Sequence, residues 1–220
     1  MCTLAILRRP EHDWPVIIGA NRDEMIDRPA APPGRHWPDR LEVVAGRDLL
    51  AGGSWLGLND WGVAAARALG DLDPVAYRSF NLIVADNRDA FWLRHAETGR
   101  IEVRPVKDGL SLIAAGEIDD LRTPRLALAK PRFRAAAPPD PDHDDWTAWQ
   151  DILGDDTVPA SAPPGVPPEA ALRFRTDRGY GTESSALIAL PAVATPERRP
   201  IFRFAGWQPE ETPWRNVGGG

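Results

Sequence analysis

The sequence has one cysteine in 220 residues, so no disulfide can form within the chain and a disulfide-stapled secreted scaffold is excluded. A lone thiol points to a reducing compartment, and a cytoplasmic location is expected. No apolar run approaches the roughly 18 residues needed to cross a bilayer, so no membrane span is expected. The apolar start Cys2–Leu7 is short and no basic region precedes it, which argues against a signal peptide. There is no basic excess either. Lys and Arg number 26 against 32 Asp and Glu, the net charge is −6, and the basic residues are scattered; a nucleic-acid-binding face needs them clustered. The four histidines show no paired spacing, and no Cys/His cluster suggests a metal site.

What is present is 43% hydrophobic residues, 23 prolines, 19 glycines and nine tryptophans. This composition supports a folded core with many turns and short elements, and argues against a long-helix bundle. No linker divides the chain, so residues 1–207 read as one domain and 208–220 as a loose tail. Strands are expected at 3–8 and 16–21, joined by the loop R-P-E-H-D-W-P with a proline near each end. Further strands are expected at 43–45, 55–58, 63–67, 80–85, 90–95, 101–106, 110–115, 184–190 and 201–204. Thr123-Pro124 opens a helix, Asp144–Leu153 reads as a second with Asp144 as its cap, and Glu169–Phe174 as a short third.

The first hairpin carries the chemistry. A loop centred near residues 11–12 makes antiparallel partners sum to about 23, which sets Cys2 opposite Asn21. The one cysteine and the polar segment Asn21-Arg22-Asp23-Glu24 then meet at one sheet edge. Cys2 directly follows Met1, and methionine is usually trimmed before so small a residue. Trimming leaves a free α-amine, with a reference pKa of about 7.7–8.0, beside the thiol. One residue then supplies nucleophile and general base. Arg22 offers the positive charge that favours a thiolate. Asp23 offers a charge-assisted hydrogen bond to the amine, and Asn21 a donor to a developing oxyanion. A carboxylate facing a cleft at a sheet end is expected to matter little for folding. The competing structural reading is ordinary packing of a small thiol above a solvated turn. Asn87-Arg88-Asp89, in a hairpin turn, shows how readily the tripeptide arises.

Other motifs carry less. Gly52–Gly57 (G-G-S-W-L-G) lacks the lysine of a phosphate-binding loop. The acidic run Asp140–Asp145 lacks the glycine and glutamate of a calcium loop and fits a helix N-terminus. Nothing places a histidine beside Cys2.

Met1-Cys2 before a strand, A-N-R-D-E at Ala20–Glu24, Arg28-Pro29, G-G-S-W-L-G at Gly52–Gly57, G-V-A-A-A at Gly62–Ala66, F-N-L-I at Phe80–Ile83 and G-T-E-S-S at Gly181–Ser185 together resemble the NRDE family, also called the transport and Golgi organisation protein 2 family. The resemblance implies an α+β fold, a four-layer αββα sandwich of the N-terminal-nucleophile hydrolase type, with the nucleophile on the first strand. It implies a likeness to cysteine amidases of the choloylglycine and penicillin acylase kind, which carry R-N-x-D at the end of the second strand. Asn21 and Asp23 match that pattern, Ala20 stands where it has arginine, and Arg22 is a nearby substitute. Where many relatives have an asparagine after the G-V-A-A-A strand, this chain has Arg67.

The expected activity is hydrolysis of a small-molecule amide. Cys2, Asn21, Arg22 and Asp23 are the catalytic candidates; Glu24, Trp55, Asn59, Arg67 and Asn81 are the substrate-binding candidates. No cofactor is required. The alternative is a non-catalytic carrier on the same fold for haem, with the Cys2 thiolate as ligand, or for an acyl-coenzyme A, since eukaryotic members are linked to haem trafficking and lipid metabolism.

Overall fold

The computed structural model describes residues 2–59, 73, 75, 78–96, 99–208 and 211–217. In chain order its elements are β1 (Thr3–Arg8), β2 (Val16–Met25), β3 (Ala30–Gly34), β4 (Val43–Asp48), β5 (Gly57–Asn59), β6 (Phe80–Ala85), β7 (Ala90–His95), β8 (Ile101–Pro105), β9 (Gly109–Ile113), α1 (Pro124–Ala135), α2 (Thr147–Gly154), β10 (Tyr180–Leu190), β11 (Ile201–Gly206) and β12 (Thr212–Asn216). A six-stranded antiparallel sheet of order β12-β11-β10-β2-β1-β9 forms the centre, and two three-stranded sheets, β3-β4-β5 and β6-β7-β8, accompany it.

Strand alternation decides which way each side chain points. One face of the central sheet carries Ala5, Ile17, Leu112, Leu187 and Ala189, which pack against Leu126 and Phe133 of α1 and Trp149 and Leu153 of α2. Phe133 and Trp149 meet edge to face, 4.9 Å between centroids. The other face carries Ile6, Val16, Ile18, Ile113, Ala186 and Ile188, which pack against Val44, Trp92 and Val106 from the smaller sheets and their flanks. The described residues thus stack as helices, central sheet and second β layer, an α+β sandwich. The second helical layer of a four-layer αββα arrangement is not among them. No helix among the described residues is long and apolar enough to cross a membrane.

The first hairpin closes with Arg9 N donating to Pro15 O at 2.8 Å. Thr3 stands opposite Asn21 and Arg8 opposite Val16. The register is one residue from that expected, so continuing β1 backwards sets Cys2 level with Arg22.

Several boundaries differ from the sequence reading. β2 does not stop at Asn21 but runs through Asn21-Arg22-Asp23-Glu24 to Met25, because β10 pairs with it along that whole length. The strand expected at 55–58 is Gly57–Asn59; the strand at 63–67 and the turn at 60–62 lie outside the described residues. Asp144 does not cap the N-terminus of α2. It adopts a left-handed φ of 52° and accepts the indole N–H of Trp146 at 2.9 Å, so α2 begins only at Thr147. Of the helix expected at Glu169–Phe174 only a 3-10 turn, Pro168–Ala170, forms. The carbonyls of Leu172 and Phe174 bond instead to Asn21 and Thr182. The tail expected at 208–220 contains β12, which pairs with β11 at the sheet edge.

Glycine permits one of these close approaches. A Cβ on Gly181 would lie 2.5 Å from the Phe174 carbonyl oxygen, so only glycine lets the 172–176 segment cross β10 there. That crossing brings the Leu172 carbonyl to Asn21.

Candidate active site

Cys2 stands before β1 at the mouth of a cleft between the two β layers. The cleft holds about 390 Å³. Its walls are Leu4, Ala20, Arg22 and Ser184–Ala186 on the central sheet and Val43, Ala45, Ser54–Gly57 and Asn81–Ile83 on the second layer. The lining is mostly apolar, and Cys2, Arg22, Ser54, Asn81 and Ser184 are among its polar residues.

The Cys2 residue keeps solvent access, while its sulfur packs on the Asp23 backbone. It accepts the Asp23 N–H at 3.4 Å and donates to the Asp23 carbonyl at 3.6 Å. Burial of the sulfur pushes the thiol up, the Asp23 N–H pulls it down, the Asp23 charge raises it, and Arg22 lowers it. Burial is the largest of these, so the protonated thiol is favoured.

Arg22 and Ala20 are two residues apart on β2 and share the cleft face. An arginine therefore does face the cleft on this strand, one step along from where R-N-x-D would put it. Its guanidinium lies 4.3 Å from the Trp55 ring centroid and pairs with Glu183. Glu183 reaches it because β10 bulges between Thr182 and Ser184, which re-aims the extra residue. Desolvation lowers the Arg22 pKa, yet an arginine remains charged at any physiological pH.

Asn21 and Asp23 point the other way, into the helix side of the sheet. The Asn21 amide donates to Leu153 O at 2.9 Å and Leu172 O at 2.7 Å, and its oxygen accepts from Ser185 Oγ at 2.5 Å. Both amide protons are spent on carbonyls, and the residue is 1% exposed. The expectation that Asn21 donates to an oxyanion is therefore corrected: here it ties β2 to α2 and to the 172 segment. The Asp23 side chain is 0% exposed, ion-paired with Arg125 and accepting Thr182 Oγ1 at 2.8 Å. Arg125 and Tyr180 escaped the sequence reading, and Thr182 entered it only as part of G-T-E-S-S. The Tyr180 hydroxyl donates to the Asp23 carbonyl at 3.4 Å, and burial together with the nearby charges of Asp23, Cys2 and Glu24 pushes its pKa up to about 12.

Among the substrate-binding candidates, Trp55 and Asn81 line the cleft. The Asn81 amide is engaged with the carbonyls of Ala114, Ala115 and Gly116, and its oxygen accepts the Trp92 indole at 2.9 Å. Glu24 does not line the cleft; it accepts its neighbour Met25 N and lies 3.8 Å from Arg28. Asn59 lines a separate cavity with Leu190 and Arg198 towards the opposite end of the central sheet. Arg67 lies outside the described residues.

Trp55 is seated against a glycine. A Cβ on Gly46 would lie 2.2 Å from its ring. Gly46→Ala is expected to push the ring off Arg22 and to cost about 1–3 kcal/mol as overpacking. Urea denaturation with the fluorescence of the variant checks this, and an unchanged midpoint would mean that the ring has another seat.

These features define a class: an α+β sandwich with the thiol of residue 2 at an inter-sheet cleft. Residues 1–67 match the family model described as Transport and Golgi organisation 2, and that segment carries Met1-Cys2, N-R-D-E and G-G-S-W-L-G. No curated protein matches the chain.

Proposed function

We propose that the chain is an N-terminal-nucleophile cysteine amidohydrolase, acting on a small-molecule amide in the reducing cytoplasm. The observation that carries this reading is the place of Cys2, at the start of β1 and the mouth of an inter-layer cleft whose wall bears Arg22. With Met1 removed, the Cys2 thiol gives its proton to its own α-amine and attacks the amide carbonyl. The amine passes that proton to the leaving nitrogen, and water then cleaves the acyl thioester. Asp23 fixes the position of Cys2 through its backbone contacts to the sulfur. With Asn21 and Asn81 engaged elsewhere, stabilisation of the oxyanion falls to the Arg22 guanidinium and the Ser184 hydroxyl.

The engagement of both asparagines also favours a second reading, a carrier of an acyl group in the apolar cleft. Haem suits the site poorly. Burial disfavours the thiolate that would bind iron, and no histidine lines the cleft among the described residues.

Intact mass of natively expressed protein, followed by 2-cyanobenzothiazole, which condenses only with a free 1,2-aminothiol, tests the hydrolase. Loss of Met1 and addition of one reagent molecule are expected. Uniform retention of Met1 rules out the mechanism. A free aminothiol that turns over no amide while the protein binds acyl ligands would favour the carrier.

A further inference from the structure

We propose that Arg125 is the positioning residue for Cys2, a buried cation on α1 that clamps the ends of β1 and β2 beside the thiol and neutralises the carboxylate beneath it. The inference deepens the reading of Cys2 as nucleophile and rests on it for its catalytic meaning.

The geometry gathers several partners on a single guanidinium. Nη1 binds the Asp23 carboxylate and donates to Thr3 Oγ1 at 3.2 Å. Nε donates to Glu169 O at 3.0 Å, and Nη2 donates to the same carbonyl. The group rests over the Phe174 ring, 4.6 Å from its centroid, and its side chain is 5% exposed. Thr3 is the residue after Cys2, and Asp23 is the residue whose N–H and carbonyl hold the sulfur. One planar fork therefore fixes both strands at the point where the thiol is held, which a lysine cannot reproduce.

The charge matters as much as the shape. Besides the chain's own α-amine, the charged or titratable groups around the thiol among the described residues are Arg22, Asp23 and Glu24 on β2, Tyr180 and Glu183 on β10, and Arg125 on α1. The facing wall offers Ser54, Trp55 and Asn81, which carry no charge. Asp23 is the nearest anion, and an anion beside a thiol opposes the thiolate. Arg125 offsets that anion from the side away from the cleft, so the thiol meets a neutral pair rather than a bare carboxylate.

The chain has one cysteine, so alkylation by iodoacetamide reports Cys2 alone. Its rate measured against pH gives a midpoint for the thiol. Arg125→Gln is expected to raise that midpoint by roughly one pH unit, and Asp23→Asn on top of it to bring the midpoint back to or below that of the wild type. A folded Arg125→Gln protein with the wild-type midpoint would overturn the proposal, since a purely structural role moves stability and not the profile. Should Arg125→Gln fail to fold, the comparison passes to Asp23→Asn with and without Arg125→Gln. The midpoint must then lie lower where Arg125 is present, and equal midpoints overturn the proposal. The two readings fail separately. Retention of Met1 removes the N-terminal nucleophile, whereas the profile reports Arg125 whether or not Met1 is trimmed.

Discussion

Asp23→Asn is expected to lower folding stability by about 3–5 kcal/mol, the cost of leaving one member of a buried ion pair without its partner. The measurement is urea denaturation with an unchanged slope and a lower midpoint. The carboxylate is 0% exposed, and its partner Arg125 is 5% exposed. An amide keeps the shape and can still accept from Thr182, but it cannot balance the guanidinium. The double variant Asp23→Asn with Arg125→Gln removes both charges and is expected to recover part of the loss, as buried pairs often tolerate joint replacement. A loss below about 1 kcal/mol would mean that the pair is as solvated as a surface one. This reverses what the sequence suggests, namely that a carboxylate at a sheet end facing a cleft is dispensable for folding. Activity data on Asp23→Asn therefore need the stability measurement beside them.

The reason for that reversal marks what was legible in the sequence. The β1–β2 hairpin was legible to within one residue, because two apolar runs and a proline-bounded loop fix a local pairing. The β6–β7 hairpin was legible to the residue for the same reason. The meeting of Cys2 with the N-R-D-E segment followed from that local register alone. The polar segment itself was misread as a strand end, since four polar residues in a row look solvated. Asn21 and Asp23 are buried because Arg125, Thr182 and Ser185 reach them across 102, 159 and 164 residues of chain. No period or spacing encodes such partners. β12 escaped because an exposed edge strand containing a proline has neither alternation nor burial to announce it. The helix expected at Glu169–Phe174 failed because its carbonyls are claimed by tertiary contacts, which override local propensity.

Asn21→Ala is the second large effect, and it separates a structural asparagine from a catalytic one. The substitution leaves the Leu153 carbonyl without the Asn21 amide, the Leu172 carbonyl with the Thr182 hydroxyl at 3.2 Å in place of two donors, and Ser185 without its acceptor. Each buried polar group stranded in this way costs about 1–3 kcal/mol, so a total on the order of 3–5 kcal/mol is expected. An oxyanion donor behaves otherwise: its removal slows turnover by roughly 10²–10³-fold and leaves the fold intact. Ser185→Ala is the matched control. It removes one hydrogen bond to Asn21 and one accepted from the Trp207 indole at 2.7 Å, while the two carbonyls keep their amide. Its expected cost is about 1–2 kcal/mol. Urea denaturation of the two variants should therefore rank Asn21→Ala well below Ser185→Ala, with Cys2 alkylation in the surviving native fraction close to that of the wild type. An Asn21→Ala protein as stable as the wild type would return Asn21 to the list of candidate oxyanion donors. It would also mean that the contacts of β2 with α2 and the 172 segment hold without their amide.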